Sequence, residues 1–313
     1  MKYSSSLLES SSLFSRNSEE KTDVKEKVPQ QVAFVSVGSG SSGNCYYFSS
    51  PQGSLLIDVG VPIRMVEHAL QSVGKSLCQI DAILVTHGHS DHTRNVARLS
   101  VLYDLPVIAT QEVFLLLDSL KTRFKIFPKN RIVIKEEDSL VRGGFKIESF
   151  AVPHDCPETV GYTLTFENFR LALLTDVGHY LPQHYSIARS CNHLILESNF
   201  DREMLINGGY PYPLKQRIAS DLGHTGNYEA ALFLSQVYHS KMQRVWLCHL
   251  SKDNNTPDCC YKTFQDVLEQ RGIPLESLLS ILPRFKATPL YLFNLRQNEL
   301  AIDSENRSAE VAV

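Results

Sequence analysis

The chain has 313 residues, enough for one large domain or two small ones and for a sizeable buried core. Its 43% apolar and 21% charged residues are ordinary for a soluble globular protein, and a formal net charge of −3 excludes the overall basic field that advertises nucleic-acid binding. Seven cysteines without a C-x-x-C pair make a poor disulfide framework and read as reduced thiols of a cytoplasmic protein, and no apolar run approaches the roughly 18–20 residues of a membrane span.

Residues 1–31 are Ser-rich and then charged, without the apolar core of a signal peptide, and read as a disordered leader. The folded domain is expected over 32–300, followed by an unstructured tail at 301–313. Val32 to Val37 reads as a strand, and the strand-like Cys45 to Phe48 follows the loop Gly38-Ser-Gly-Ser-Ser-Gly-Asn44. That loop is either a plain hairpin connection or a set of N–H groups and hydroxyls for an anion, with Ser39, Ser41, Ser42 and Asn44 as its candidate contacts. Ser54 to Gly60 is a further strand, with Asp58 where the apolar run meets a glycine turn. A carboxylate there can cap the turn or orient an imidazole by accepting its second N–H.

Ile63 to Val73 has helical spacing, Gly74 is a plausible C-cap, and His68 on this helix reads as structural. The short apolar run from Ala82 to Val85 then leads into Thr86-His-Gly-His-Ser-Asp-His-Thr93. Four ligand types crowd this loop: His87, His89, Asp91 and His92. A loop leaving a strand can aim the first two at one metal and the last two at a second. Imidazole nitrogen and carboxylate oxygen suit zinc, iron or manganese.

A helix should start near Thr93, with Val96, Leu99 and Leu102 on one face. Pro106 to Ala109 reads as a strand. Gln111 to Leu120 reads as a helix with Phe114, Leu115, Leu116 and Leu117 in the core. Strands are expected at Arg131 to Ile134 and at Lys146 to Val152, which runs into Pro153-His154-Asp155. His154, at a strand end after a stiffening proline, is a candidate third ligand, and Cys156 beside it is not needed. Val160 to Phe166 and Arg170 to Leu174 form a hairpin, and the second strand ends in Thr175-Asp176-Val-Gly178. His179 and His184 read as surface residues. His193 to Glu197 is a strand, helices follow to about His239 with His224 between two of them, and the strand Arg244 to Cys248 ends in His249. A surface helix over Pro257 to Arg271 and a last strand over Pro289 to Leu295 complete the chain. Alternating strands and helices with candidate ligands at strand ends fit an α/β sandwich.

His87-Gly-His-Ser-Asp-His92 resembles the signature of the metallo-β-lactamase superfamily of hydrolases. The resemblance implies an αββα fold with two divalent metal ions (Zn, Mn or Fe) at the edge of two packed sheets. It implies His87, His89 and His154 on one ion, Asp91, His92 and His249 on the other, Asp176 bridging, and Asp58 behind the ligands. The glycine-serine loop, Glu197-Ser-Asn-Phe-Asp201, Tyr210-Pro-Tyr-Pro-Leu-Lys-Gln-Arg-Ile218, Gly223-His-Thr-Gly-Asn227 and His249-Leu-Ser-Lys-Asp-Asn-Asn-Thr-Pro257 look like the WalJ/YycJ (VicX-like) branch, which usually has Leu-Ser where this chain has Thr225-Gly226.

That branch is associated with metal-dependent nuclease activity, including 5′-to-3′ DNA exonuclease action in mismatch repair. The resemblance thus implies a DNA substrate and catalytic roles for Asp91 and His224. Lys215 and Arg217 reach a phosphate backbone or are simply solvated, and Tyr210 to Pro213 is expected to position helices. Other readings are a glyoxalase II-like thioester hydrolase, a small-molecule hydrolase or ribonuclease, a β-lactamase, and a non-catalytic regulator that keeps metals for stability.

Overall fold

The computed structural model describes residues 31–295; the expected leader and tail lie outside them, except that Gln31 already belongs to the first strand. The first sheet is built from β1 (Gln31–Gly38), β2 (Cys45–Ser50), β3 (Gly53–Ile57), β4 (Ala82–Leu84), β5 (Val107–Ala109) and β6 (Arg131–Val133). The second is built from β7 (Ser139–Arg142), β8 (Phe145–Ala151), β9 (Val160–Phe166), β10 (Phe169–Leu174), β11 (His193–Glu197), β12 (Arg244–Cys248) and β13 (Leu279–Ile281). A last strand, β14 (Tyr291–Asn294), returns to pair with β1, so each sheet has seven strands.

Both sheets follow one plan. An antiparallel meander runs up to β3 in one and to β10 in the other, and from there onward the strands are parallel. An Asp-Val-Gly run follows each switch strand, at 58–60 and at 176–178.

The period-2 alternation of side chains makes the sandwich. Tyr46, Phe48, Leu55 and Ile57 point from the first sheet into a central core and meet Leu171, Leu173 and Trp246 of the second. The intervening residues Tyr47 and Leu56 face outward against α1 (Ile63–Ser72), α3 (Val96–Tyr103) and α4 (Gln111–Ser119). On the far side, Ala172, Leu174, Val245 and Leu247 pack against α5 (Pro182–Arg189), α8 (Asn227–Val237) and α9 (Pro257–Glu269). The order of layers is αββα, as expected. Among the described residues, no helix is long and apolar enough to cross a membrane.

Several local expectations are corrected. Leu102, Leu115 and Leu116 are exposed, because a short helix lying on a sheet buries one stripe; Val113, Phe114 and Leu117 take that place in α4. His184 is fully buried rather than at the surface. Its Nε2 donates to the Ala151 carbonyl at 2.8 Å and its Nδ1 accepts from the Leu181 amide at 3.1 Å, tying α5 to the end of β8. The strands β7 and β13 were not foreseen; both are short sheet edges whose sequences carry no strong apolar alternation.

Candidate metal centre

The site lies where strands end. Asp58 follows β3, His87 follows β4, His154 follows β8, Asp176 follows β10, Glu197 ends β11 and His249 follows β12. Asp58, Asp176 and His249 have φ of 57°, 57° and 56°, the left-handed region that costs a non-glycine residue about 1–2 kcal/mol. In each case the chain leaves its strand in a sharp turn that keeps the polar side chain at the sheet edge. Glycine two residues after each Asp makes room for this: a Cβ on Gly60 would sit 1.5 Å from the Asp91 carbonyl oxygen, and one on Gly178 would sit 2.1 Å from that of Asp221.

The histidine-rich loop is laced to the end of β3. The Asn44 amide donates to Asp91 O and the Val59 amide to His92 O, both at 2.8 Å. His89 occupies the N-cap position of α2 (Ser90–Thr93), which carries Asp91 and His92.

Candidate ligand atoms of His87, His89 and His154 lie within 4.8 Å of one another, and so do those of Asp91, His92 and His249. Asp176 joins the two groups. Its Oδ2 is 3.2 Å from His92 Nε2, and its Oδ1 is 3.3 Å from His249 Nδ1 and 3.9 Å from His154 Nε2. All seven residues predicted as ligands are therefore brought together. The donor set fits a metal on one further observation: His87 Nε2 is buried and has no hydrogen-bond partner. Burial, reinforced by His92, also holds this imidazole well below its ordinary pKa, leaving it neutral with a lone pair to donate.

Carboxylates and carbonyls behind the cluster set the tautomers. Asp58 Oδ2 accepts from His92 Nδ1 at 2.7 Å, and His154 Nδ1 donates to the Gly223 carbonyl at 3.0 Å, so each ring turns Nε2 to the cluster. Burial disfavours a charged His92, but Asp176 and Asp58 outweigh it and raise its pKa well above the usual range.

Glu197 is the site residue that sequence reasoning missed. Fully buried, it accepts through Oε1 from His224 Nδ1 at 2.9 Å and from His249 Nδ1 at 2.8 Å, and through Oε2 from the amides of Val177 and Thr225. Burial opposes its charge, yet His224 and the other donors pull its pKa down to about 2. The signal was present: an acidic residue ending an apolar strand, the pattern that marked Asp58 and Asp176. Thr225, where the branch has Leu, is buried, and its hydroxyl donates to the Val177 carbonyl at 2.6 Å.

The four predicted loop contacts separate. Ser39 and Asn44 are fully buried and occupied within the protein: Ser39 Oγ accepts from the His249 amide at 2.9 Å, and Asn44 Oδ1 accepts from the Gly40 amide at 2.8 Å. Only Ser41 and Ser42 are exposed, and Ser41 lines the mouth of the centre with His89, Asp91, Arg217 and His224. Arg217 is held there by an ion pair with Asp155. Lys215 instead donates to the Ile206 carbonyl at 2.6 Å. Cys156 stays outside the ligand set and accepts from the Gly88 amide through Sγ at 3.3 Å.

Comparison with known proteins agrees with the fold. Residues 54–250 match the family model described as the β-lactamase superfamily domain. The exodeoxyribonuclease YycJ of Bacillus anthracis is 34% identical over 239 residues, covering 76% of this chain and 90% of that protein. The exodeoxyribonuclease WalJ of Streptococcus pneumoniae is 31% identical over 237 residues, covering 76% and 88%. The metallo-β-lactamase fold protein YhfI of Bacillus subtilis superposes with a TM-score of 0.65 at 17% identity, covering 84% of this chain and all (100%) of that one, a likeness of fold. The chain belongs to the metallo-β-lactamase superfamily, in the family of the YycJ and WalJ proteins.

Proposed function

We propose that this metal-dependent hydrolase is a DNA exonuclease that works with two divalent ions and attacks from the 5′ end. The DNA substrate rests on the identity to YycJ and WalJ, and the direction on the branch resemblance. The observation that carries the two-ion reading is the position of Asp176 between the two clusters, 3.2 Å from His92 and 3.3 Å from His249 of one and 3.9 Å from His154 of the other. His87, His89 and His154 would hold one ion, Asp91, His92 and His249 the other, and Asp176 both. When bound, the ions would supply a water activated at neutral pH and neutralise charge developing on the phosphoryl group.

The chain's own groups do the rest. His224 presents its ring at the mouth with Nδ1–H on Glu197. Burial disfavours its imidazolium, but the Glu197 charge outweighs it, so that Nε2–H carries the proton given to the leaving oxygen. Ser41 at the mouth and the exposed Ser42 next to it offer hydroxyls to the phosphate, and Arg217 lines its path. Seven free thiols fit a reducing compartment such as the cytoplasm.

The test is degradation of duplex DNA labelled at the 5′ or the 3′ end, comparing metal-reconstituted protein with a His89→Ala, Asp91→Ala variant. Metal-dependent shortening from the 5′ end, absent in the variant, is expected. Shortening from the 3′ end overturns the direction. Turnover of RNA or of a glutathione thioester in place of DNA overturns the substrate.

A further inference from the structure

Beside the metal centre lies a cavity of about 900 Å³, within the upper range of small-ligand pockets. It adjoins the centre: His224 lines both the cavity and the mouth over Asp91, Asp176 and His249. One wall comes from α6 (Arg202–Asn207) and α7 (Tyr212–Ile218), the two short helices after β11.

α6 buries only Leu205, and α7 does not read as a packing element. No residue of α7 is buried, Tyr212 is 71% exposed and Ile206 is 61% exposed. The expectation that Tyr210 to Pro213 only positions helices leaves these apolar surfaces in water without a reason. Other aromatic residues line the cavity too. Tyr180 stacks on Phe233 with ring centroids 3.9 Å apart and planes 13° apart, and Phe200 also lines it. The Tyr180 hydroxyl is buried with no hydrogen-bond partner.

Charge and aromatic lining together suit one part of a DNA chain. Asp221 and Glu229 line the cavity beside Arg202 and Lys215, so the lining carries no net positive charge to draw a phosphate inside. Carboxylates do accept from the amino groups of bases, and aromatic faces stack on any base. We propose, given the DNA substrate above, that this cavity cradles an unstacked nucleobase from the strand end while its phosphate lies at the metal mouth. A terminal base must leave the duplex to enter, so the enzyme takes frayed or single-stranded ends.

Binding of metal-loaded full-length protein to labelled single strands, measured by fluorescence anisotropy, tests this. Terminal linkages are phosphorothioates to slow cleavage, and the terminal nucleotides either carry bases or are abasic. Base-bearing ends should bind about tenfold more tightly, the scale of one base–aromatic stack. An Ile206→Ser, Tyr212→Ala variant, changed only at exposed positions, should lose most of that preference. Equal affinity of the wild-type protein for both ends overturns the cradle. Cleavage is followed in parallel with unmodified strands: cutting without base preference leaves the nuclease and removes the cradle, whereas base-dependent binding without cutting keeps the cradle and removes the nuclease.

Discussion

Asp58 Oδ2 lies 2.7 Å from His92 Nδ1, and neither side chain is exposed to solvent. The same carboxylate also accepts from the Thr86 amide and hydroxyl, both at 2.9 Å, so both its oxygens are engaged. It therefore fixes both the rotamer and the tautomer of an imidazole whose Nε2 faces Asp176. Asp58→Asn keeps the volume but brings an amide N–H to a site filled with donors. Metal affinity should fall about 10–100-fold, the usual cost of losing such support. Competition against a chelator measures this, and excess metal should restore much of the activity. Unchanged affinity would show that the carboxylate only caps its turn.

His224 and Glu197 should act as one unit. A single oxygen, Glu197 Oε1, holds both His224 and His249, so Glu197→Gln disturbs the proposed proton donor and a candidate ligand together. His224→Ala should lower kcat on DNA by about 10²–10⁴-fold. Glu197→Gln should cost at least as much, and the double variant much less than the product of the two. A p-nitrophenyl phosphodiester, whose leaving group needs no proton, separates the roles. His224→Ala should slow it far less than DNA, whereas Glu197→Gln, acting also through His249, should slow both. Fully multiplicative losses would sink the pairing.

The sequence made the candidate cluster legible because four of its seven residues share one loop and the other three follow apolar runs. Ligands at strand ends are readable wherever the run itself is readable. Glu197 escaped because it counted as the last residue of its strand, although its carboxylate is spent on partners 27 and 52 positions away along the chain. Ser39 was misjudged for the same reason: its hydroxyl is taken by an amide 210 residues on. His184 looked like a surface residue in a polar connection, and only the Ala151 carbonyl, brought over by the sheet, explains its burial. Helix periodicity showed that α4 exists but not which leucines face the sheet, since its apolar run wraps more than one face.

Gly60 should tolerate no side chain. A Cβ there would meet the Asp91 carbonyl, which is backbone held by the Asn44 amide, so neither side can yield without moving the histidine loop. Gly60→Ala should cost about 3 kcal/mol or more and also weaken metal binding. Gly209→Ala is the control: nothing lies within 4 Å of the added carbon, and thermal unfolding should change little. Equal melting temperatures for the two variants would mean that the loop is not set by this contact.

His193 makes stability depend on pH away from the metals. Its ring stacks on Phe169 at 4.6 Å and lies 4.5 Å from Phe293, and its Nδ1 has no partner. Burial, with the nearby Arg244 charge adding to it, pushes its pKa from 6.5 down to about 3. The folded protein thus keeps this imidazole neutral, while the unfolded chain protonates it near pH 6.5. Its stabilising contribution is full above pH 6.5 and is lost as pH falls toward 3, at up to about 1.4 kcal/mol per pH unit. His193→Phe keeps the stacking and removes the titration. Urea unfolding of both proteins with metal chelated should show the wild type weakening relative to the variant between pH 7 and pH 4.5, and parallel losses would mean that His193 is not the group responsible.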